Sequence, residues 1–262
     1  MGSAVAGAAS TALRTLLDGP RRPARVIAAF PAAIYLELPA PAEPRVVALV
    51  RSDAMCPPNA IMVTAPLLGV RADDPGWIGG SAVRAGGLEV AVRRWWPATI
   101  TLGSLLADRL DDSGIGIPEP LELAGACLAG DLEAAGAAAG RLVGLGPGLT
   151  PSGDDVLAGL LVTLRSLGGV KEQALADAIT AAVLPTAYHR TTALSATLLH
   201  CAARGEAGRE VAAVLRGLTG VSPLDPAVTR LRSAGHTSGA DLIWGMALGA
   251  RISRHRFRKA TA

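Results

Sequence analysis

The spacing of the apolar residues changes near residue 97, and this change constrains the fold of the chain more than any other feature. Before it, short runs rich in Val, Ile and Ala are separated by proline clusters, which cannot continue a strand ladder. One pair of runs flanks Gly86 and Gly87, which form a hairpin signal. The runs are 26–38, 45–50, 60–65, 81–85 and 88–94. This pattern predicts an antiparallel, half-buried β-sheet.

After residue 97 the apolar residues recur at helical spacing, interrupted by Gly and Pro. The predicted helices are 102–110, 119–129, 132–143, 154–167, 172–184, 191–204, 207–218 and 240–254. The sequence therefore predicts an α+β fold with two domains. An antiparallel β-rich domain covers 1–100, and a mainly α-helical domain that carries the Gly-rich motifs covers 101–262.

Composition narrows the class of protein. Half of the 262 residues are hydrophobic, yet no apolar run approaches the ~18 residues of a membrane span, and the N-terminus has no signal-peptide pattern. The net charge is +3, but aromatic residues make up only 3% of the chain, which disfavours nucleic-acid binding. The three cysteines lie far apart and fit neither a disulfide framework nor a zinc site. We expect a soluble, cytoplasmic protein that binds neither nucleic acid nor membrane.

The segment 144–155, with the sequence GLGPGLTPSGDD, is a glycine-rich loop that leads directly into an apolar helix. Ser152 fits the N-cap of that helix, and Asp155 fits its reciprocal partner in a capping box. This explains neither Asp154 nor the glycines at 144, 146, 148 and 153. Bare N–H groups at a helix N-terminus suit an anion, and the loop lacks the Lys of a Walker loop and the GxGxxG pattern. We therefore interpret it as a phosphate- or carboxylate-binding loop.

The pattern Ser-Gly-x-Asp-apolar-apolar-x-Gly occurs twice, at 152–159 and 238–245. One interpretation is a pair of capped helix starts whose later glycines allow close packing. The other is that two positive helix ends converge on one ligand, with hydroxyls from Thr150 and Thr237. Asp155 aligns with Asp241, whereas Asp154 aligns with Ala240. Asp154 is therefore the better candidate for chemistry or for holding Mg²⁺ through water.

This alignment also predicts how the two neighbouring carboxylates differ. Replacing Asp155 by Asn is expected to weaken a cap, at a cost of about 0.5–2 kcal/mol. Replacing Asp154 by Asn is expected to change stability by less than about 0.5 kcal/mol while reducing ligand binding or activity.

The segment 188–195 carries a third group of polar residues. Arg190 is a natural clamp for a carboxylate or phosphate, and Thr191, Thr192 and Ser195 place hydroxyls on neighbouring turns of a predicted helix start. The alternative is an ordinary helix cap beside a surface arginine. His189 and His236 are expected to precede helix starts.

These three motifs, GLGPGLTPSGDD, RTT.LS and TSG.DL..G, resemble those of the AllH family, in the same order. The resemblance implies one subunit of the oxamate carbamoyltransferase of anaerobic allantoin breakdown, part of purine and nitrogen catabolism, acting beside two other subunits. The implied reaction transfers a carbamoyl group from N-carbamoyl-oxamate to phosphate and yields oxamate and carbamoyl phosphate.

The leading hypothesis is therefore a subunit of a carbamoyltransferase-like enzyme, expected to be an oligomer, that binds a small anionic substrate: phosphate, carbamoyl phosphate or a carboxylate. Asp154 and Arg190 are the candidate catalytic residues, and Mg²⁺ through Asp154 is the one cofactor considered. The candidate substrate-binding residues are Gly146, Gly148, Thr150, Ser152, Gly153, Asp155, Thr191, Ser195, His236, Thr237, Ser238 and Asp241. The alternative is a non-catalytic anion-binding or scaffolding module, which the lack of an obvious nucleophile favours. Carbamoyl transfer, however, can proceed by positioning and electrostatic stabilisation alone.

Overall fold

The computed structural model describes residues 4–100, 102, 110 and 120–260, and the chain divides into two compact units, Met1–Ala98 and Thr99–Ala262. The helix predicted at 102–110 lies outside the described residues except for its two ends. None of the helices in the described part of the chain combines the length and the apolar character needed to cross a membrane.

The first unit is a closed barrel rather than an open sheet. Around the barrel the strand order is β1-β5-β4-β3-β2-β6-β7-β8. The strands are β1 Val5–Ser10, β2 Arg22–Ala29, β3 Ala33–Glu37, β4 Val46–Arg51, β5 Ala60–Val63, β6 Pro75–Gly79, β7 Ala82–Ala85 and β8 Leu88–Trp96. A short helix, α1, covers Arg14–Asp18 between the first two strands.

The prediction of an antiparallel sheet is wrong, although the α+β class holds. Strand β1 pairs with β8 in parallel, and β4 pairs with β5 in parallel, whereas the other neighbours are antiparallel. Alternation of apolar and polar residues shows which face of a strand is buried but not the direction of its neighbour. The two parallel pairs close the barrel, and nothing in the alternation distinguishes them.

The barrel interior is filled by branched aliphatic side chains from all around the sheet. Val26, Leu36, Leu49, Ile61 and Val90 belong to this buried cluster, and each contributes about 1.5–3 kcal/mol by leaving water. Strand β4 is buried on both faces, because a second cluster that includes Ala48 and Cys56 lies on its other side.

The second unit is helical. Its described helices are α2 Pro120–Ala129, α3 Leu132–Leu142, α4 Ser152–Leu167, α5 Val170–Arg190, α6 Ala193–Ala203, α7 Arg209–Leu218, α8 Leu224–Arg232 and α9 Ser238–Ala260. Helix α5 continues six residues past the predicted end at 184, through Pro185, because Val183 and Ala187 keep its buried face in the core. His189 and Arg190 therefore end one helix instead of preceding the next.

Helices α4 and α9 start side by side and run in the same direction, and the repeated motif builds their contact. A Cβ on Gly159 would lie 2.2 Å from the carbonyl oxygen of Leu242, and a Cβ on Gly245 would lie 2.0 Å from that of Val156. Val156 and Leu242 occupy the same place in the two copies of the motif. The two backbones touch reciprocally, which confirms the prediction that these glycines allow close packing.

Candidate functional site

The glycine-rich loop joins α3 to α4, and two of its glycines are required by packing. A Cβ on Gly144 would lie 2.2 Å from the carbonyl oxygen of Arg190, and a Cβ on Gly153 would lie 2.1 Å from that of Leu142. Gly144 also has a φ of +76°. These two positions are therefore explained by the close approach of backbone segments, without a ligand.

Helix α4 does not begin with the predicted cap. Its N-cap is Pro151, which has no side-chain oxygen, and Ser152 is the first helical residue. The N–H groups of Asp154 and Asp155 both donate to the carbonyl of Pro151, at 3.0 and 3.1 Å. The predicted capping box of Ser152 and Asp155 is therefore wrong, because the helix starts one residue earlier than that motif requires.

Asp154 is the centre of a buried hydrogen-bond cluster. The residue is only 1% exposed. Oδ1 accepts the N–H of Gly144 at 2.9 Å, and Oδ2 accepts the hydroxyls of Thr191 and of Ser195, the latter at 2.7 Å. Burial raises the pKa of Asp154, and the three hydrogen bonds and the charge of Arg190 partly offset that rise. The carboxyl group thus ties the start of the loop to the start of α6.

The junction between α5 and α6 is fastened to the same loop. Thr192 caps α6: its hydroxyl oxygen accepts the N–H of Ser195 at 3.0 Å. The same hydroxyl donates to the carbonyl of Leu149 at 2.6 Å, near the tip of the loop. The guanidinium of Arg190 donates to the carbonyl of Gly140 and is otherwise exposed. Two consecutive threonines therefore fasten this junction to the loop, Thr191 through Asp154 and Thr192 through Leu149.

Asp155 contacts both α9 and the end of the loop. Residues Asp155 and Asp241 are 5% and 0% exposed. The hydroxyls of Thr150 and Ser238 hydrogen-bond to Asp155 and lie 2.9 Å from each other. Burial raises the pKa of Asp155 well above its usual value, and the nearby charges of Asp241 and Asp154 raise it further.

Several backbone N–H groups of the loop, up to the first residue of α4, have no hydrogen-bond partner among the described residues. Those of Gly146, Gly148, Leu149, Thr150 and Ser152 make no hydrogen bond to any residue the structure describes. Gly146 and Gly148 have φ of +114° and +99°, which glycine adopts without strain. We call this group of five N–H donors the loop cradle.

A side chain at residue 146 would fill the cradle. A Cβ on Gly146 would lie 2.9 Å from the backbone nitrogen of Ser152, the first N–H of α4. A Cβ on Gly148 would meet nothing within 4 Å. Packing within the described residues therefore does not require glycine at 148. Glycine at 146, in contrast, keeps the space before the N-terminus of α4 open.

The structure brings together some of the predicted site residues and separates others. Asp154, Thr191 and Ser195 share one cluster, with Arg190 at its edge. Ser238 joins the loop through Thr150. His236 and Thr237 lie in the turn before α9, and no described contact links either of them to Asp154.

Sequence reasoning missed two connections. It did not predict that the N–H of Gly144 donates to Asp154, or that the hydroxyl of Thr192 donates to the carbonyl of Leu149. The spacing of Thr192 and Ser195, which is that of an N-cap and the N–H that donates to it three residues on, could have indicated that Thr192 caps α6.

The geometry does not favour Asp154 as a metal ligand, because both of its oxygens already accept hydrogen bonds. In the described part of the chain no group of three or more His, Cys, Asp or Glu side chains is placed to hold a metal ion.

Comparison with known families agrees with the motifs. Residues 142–250 match the sequence model of a family described as oxamate carbamoyltransferase subunit AllH. This confirms the resemblance to the AllH family, and the matched range contains Asp154, its partners and the loop cradle. No solved structure matches the chain.

Proposed function

From the match to the AllH family, we propose that this chain is a subunit of an oxamate carbamoyltransferase-like enzyme and binds an anionic reactant at the loop cradle. The observation that carries the proposal is the set of N–H groups from Gly146 to Ser152 that have no partner among the described residues, at the start of a 16-residue helix. The aligned peptide dipoles of such a helix place about half a positive charge at its N-terminus. Phosphate and carboxylate are the groups that this arrangement suits.

Asp154 acts in this proposal by positioning. Its carboxyl group accepts the N–H of Gly144 and the hydroxyls of Thr191 and Ser195, so it fixes where the loop leaves α3. A fixed loop presents its N–H groups without an entropic cost at the moment of binding. Arg190, exposed beside the cluster, supplies a positive charge for a carboxylate or a phosphate.

The proposed chemistry is a direct transfer that balances without a protein nucleophile. An oxygen of phosphate attacks the ureido carbonyl carbon of N-carbamoyl-oxamate, the bond from that carbon to the oxamate nitrogen breaks, and the nitrogen takes up a proton. The products are carbamoyl phosphate and oxamate. The backbone N–H groups hold one anion in place and stabilise the charge that develops during attack.

A second candidate function is a non-catalytic anion-binding or scaffolding subunit. The observation in its favour is that the buried carboxyl group of Asp154 accepts three hydrogen bonds from the protein itself, so it has a structural role without any ligand. The two candidates predict different activities for a cradle variant that folds and assembles normally. If the subunit is catalytic, the complex with this variant loses carbamoyl transfer. If the subunit is a scaffold, the complex keeps it.

The test is a thermal-unfolding panel with phosphate, sulfate, carbamoyl phosphate and oxamate, because a ligand that binds only the folded state raises the melting temperature. We expect a rise with the phosphate-like anions in the wild type and loss of most of that rise in Arg190→Ala. Arg141→Ala is the matched control, since Arg141 also lies exposed in the last turn of a helix and forms an ion pair with exposed Glu122.

A flat response of the wild type to all four compounds would contradict the proposed anion site. Equal losses in Arg190→Ala and Arg141→Ala would show that the effect is general surface charge. Phosphorolysis of N-carbamoyl-oxamate, measured with the partner subunits present, then separates the catalytic from the scaffolding candidate.

A further inference from the structure

The direction of each N–H donor in the loop cradle depends on the carbonyl group of the residue before it. The two groups belong to one peptide unit, which is planar and, when trans, points them in opposite directions. The peptide bonds of the loop are trans. A hydrogen bond that holds such a carbonyl therefore also fixes the direction of the N–H group that follows it.

Three of the five cradle donors are fixed in this way by bonds among the described residues, and two of these bonds are backbone bonds. The carbonyl of Leu145, in one peptide unit with the N–H of Gly146, accepts the N–H of Gly153 at 2.9 Å. The carbonyl of Pro151, in one unit with the N–H of Ser152, accepts two N–H groups from the first turn of α4. The backbone alone thus sets the direction of these two donors.

The third fixed donor is the N–H of Thr150, and a side chain from another helix sets its direction. The carbonyl of Leu149 accepts the hydroxyl of Thr192, the N-cap of α6, at 2.6 Å. Because the N–H of Thr150 belongs to the same peptide unit, it points away from Thr192. In the part of the chain that the structure describes, no group accepts a hydrogen bond from this N–H.

The hydroxyl of Thr192 is itself held in place, because it also caps α6. Its oxygen accepts the N–H of Ser195 at 3.0 Å, which leaves the hydroxyl proton for the carbonyl of Leu149. At the next residue of the loop, the hydroxyl of Thr150 lies 2.9 Å from that of Ser238, the first residue of α9. The peptide unit that joins residues 149 and 150 is therefore fastened to the starts of two helices.

We propose that Thr192 is a positioning residue of the loop cradle: its hydroxyl holds the 149–150 peptide unit so that the N–H of Thr150 binds the anion. This inference rests on the proposed anion-binding function. Without the hydroxyl, the unit can rotate about its flanking bonds, and the carbonyl oxygen then takes the place of the N–H. Because a carbonyl oxygen is an acceptor with partial negative charge, this rotation replaces an attraction to the anion by a repulsion.

The first experiment measures phosphate affinity by calorimetric titration for the wild type, Thr192→Val, Thr192→Ser and Thr229→Val. Valine has nearly the shape of threonine and lacks the hydroxyl, whereas serine keeps it. Thr229→Val is the matched control, because the hydroxyl of Thr229 donates to the carbonyl of Asp225 within α8. We expect Thr192→Val to bind phosphate at least about tenfold more weakly, and the other two variants to bind within a few-fold of the wild type.

Two results of this titration would overturn the proposal. One is equal affinity of Thr192→Val and the wild type. The other is weak binding by Thr192→Val that serine does not restore, since the effect would then not come from the hydroxyl. If loss of the N-cap unfolds Thr192→Val, Thr192→Gly takes its place and is expected to show the same loss of affinity, because glycine costs little at an N-cap and has no hydroxyl.

A second measurement observes the peptide unit directly by nuclear magnetic resonance. Leucine is followed by threonine at two places in the sequence, Leu149–Thr150 and Leu218–Thr219. Protein with ¹³C in its leucine carbonyls and ¹⁵N in its threonine amides therefore gives one carbonyl-linked N–H signal for each pair. Thr219 is the internal control, because its N–H donates to the carbonyl of Leu215 in α7. The spectrum also gives the frequency of each carbonyl carbon, which changes when the carbonyl loses a hydrogen bond.

In the wild type we expect phosphate to shift the Thr150 signal and to leave the Thr219 signal in place. Without phosphate, we expect the Leu149 carbonyl carbon to change frequency in Thr192→Val but not in Thr192→Ser. An unchanged Leu149 frequency in Thr192→Val would contradict the role of Thr192. If the wild-type Thr150 signal does not respond to phosphate, the anion-binding half of the proposal fails, while the Leu149 frequency still decides whether Thr192 holds the peptide unit.

Discussion

The starts of α4 and α9 share a motif and differ at one informative position. Positions common to both copies build the helix pair: Gly159 and Gly245 allow the backbone contact, and Asp155 and Asp241 are both buried. At the position that differs, Asp154 gathers three hydrogen bonds, whereas Ala240 has no polar group to do so. The shared residues thus make the scaffold, and the unshared carboxyl group organises the loop that we propose binds an anion.

The largest expected effect lies in the shared scaffold. In Gly245→Ala the new Cβ would lie 2.0 Å from the carbonyl oxygen of Val156, a backbone atom that cannot move without separating the helices. We expect a loss of more than about 3 kcal/mol in the free energy of unfolding, measured by urea denaturation.

Gly125→Ala in α2 is the matched control for this change. Gly125 is also helical and exposed, and a Cβ there meets nothing within 4 Å. We expect this variant to be unchanged or more stable by up to about 1 kcal/mol, because alanine is the better helix former. Equal stability of the two variants would show that the reciprocal contact does not hold α4 on α9.

The second largest effect is expected from a substitution that removes the difference between the two helix starts. Asp154→Ala gives α4 the residue that α9 has, and it leaves the hydroxyls of Thr191 and Ser195 and the N–H of Gly144 without their acceptor. Buried donors that lose a partner cost about 1–3 kcal/mol each when water cannot replace it. We expect a loss of about 2–3 kcal/mol by urea denaturation, together with weaker anion binding.

Asp225→Ala controls for the general effect of an acidic residue in a first helical turn, which is about 0.3–1 kcal/mol. A cost for Asp154→Ala no larger than that of the control would return Asp154 to the role that the sequence suggested, a carboxylate with no part in stability. The burial of Asp154 argues against a carboxylate with no part in stability. The alignment with Ala240 could not reveal this burial, because alanine at a matching position does not show what surrounds the aspartate.

The sequence predicted local packing better than long-range pairing. The glycines of the repeat indicated that two helices approach closely, and the structure has that contact. Barrel closure was not predictable, because the pairing of β1 with β8 joins segments about 85 residues apart and apolar alternation carries no information on direction. Strand β6 was also missed, since Pro75 and Gly76 are typical of turns.

The site was predictable as a set of residues but not as a network. Asp154, Thr191 and Ser195 were all selected as polar residues near helix starts, and they lie in one cluster. Their connection depends on α5 continuing through Pro185 to Arg190, which brings Thr191 back to the loop. A proline ordinarily ends a helix, so sequence rules stopped α5 too early. The predicted N-cap at Ser152 was one residue too late. Pro151 is the N-cap residue, and it has no side-chain oxygen that a sequence rule could recognise.

The most direct measurement of the central claim removes one N–H from the loop cradle. Ser152→Pro deletes the N–H at the first helical position, where proline is tolerated, and the extended Pro151 before it (φ −56°, ψ 143°) is compatible with a following proline. Ser152→Ala is the control, because it removes the hydroxyl and keeps the N–H. Calorimetric titration with phosphate measures the affinity of both variants, and circular dichroism checks that they fold.

We expect Ser152→Ala to bind phosphate within a few-fold of the wild type and Ser152→Pro to bind at least about tenfold more weakly, since a hydrogen bond to a charged group contributes about 1.5–3 kcal/mol. Folded Ser152→Pro with wild-type affinity would contradict the account, because phosphate would then bind somewhere other than the start of α4.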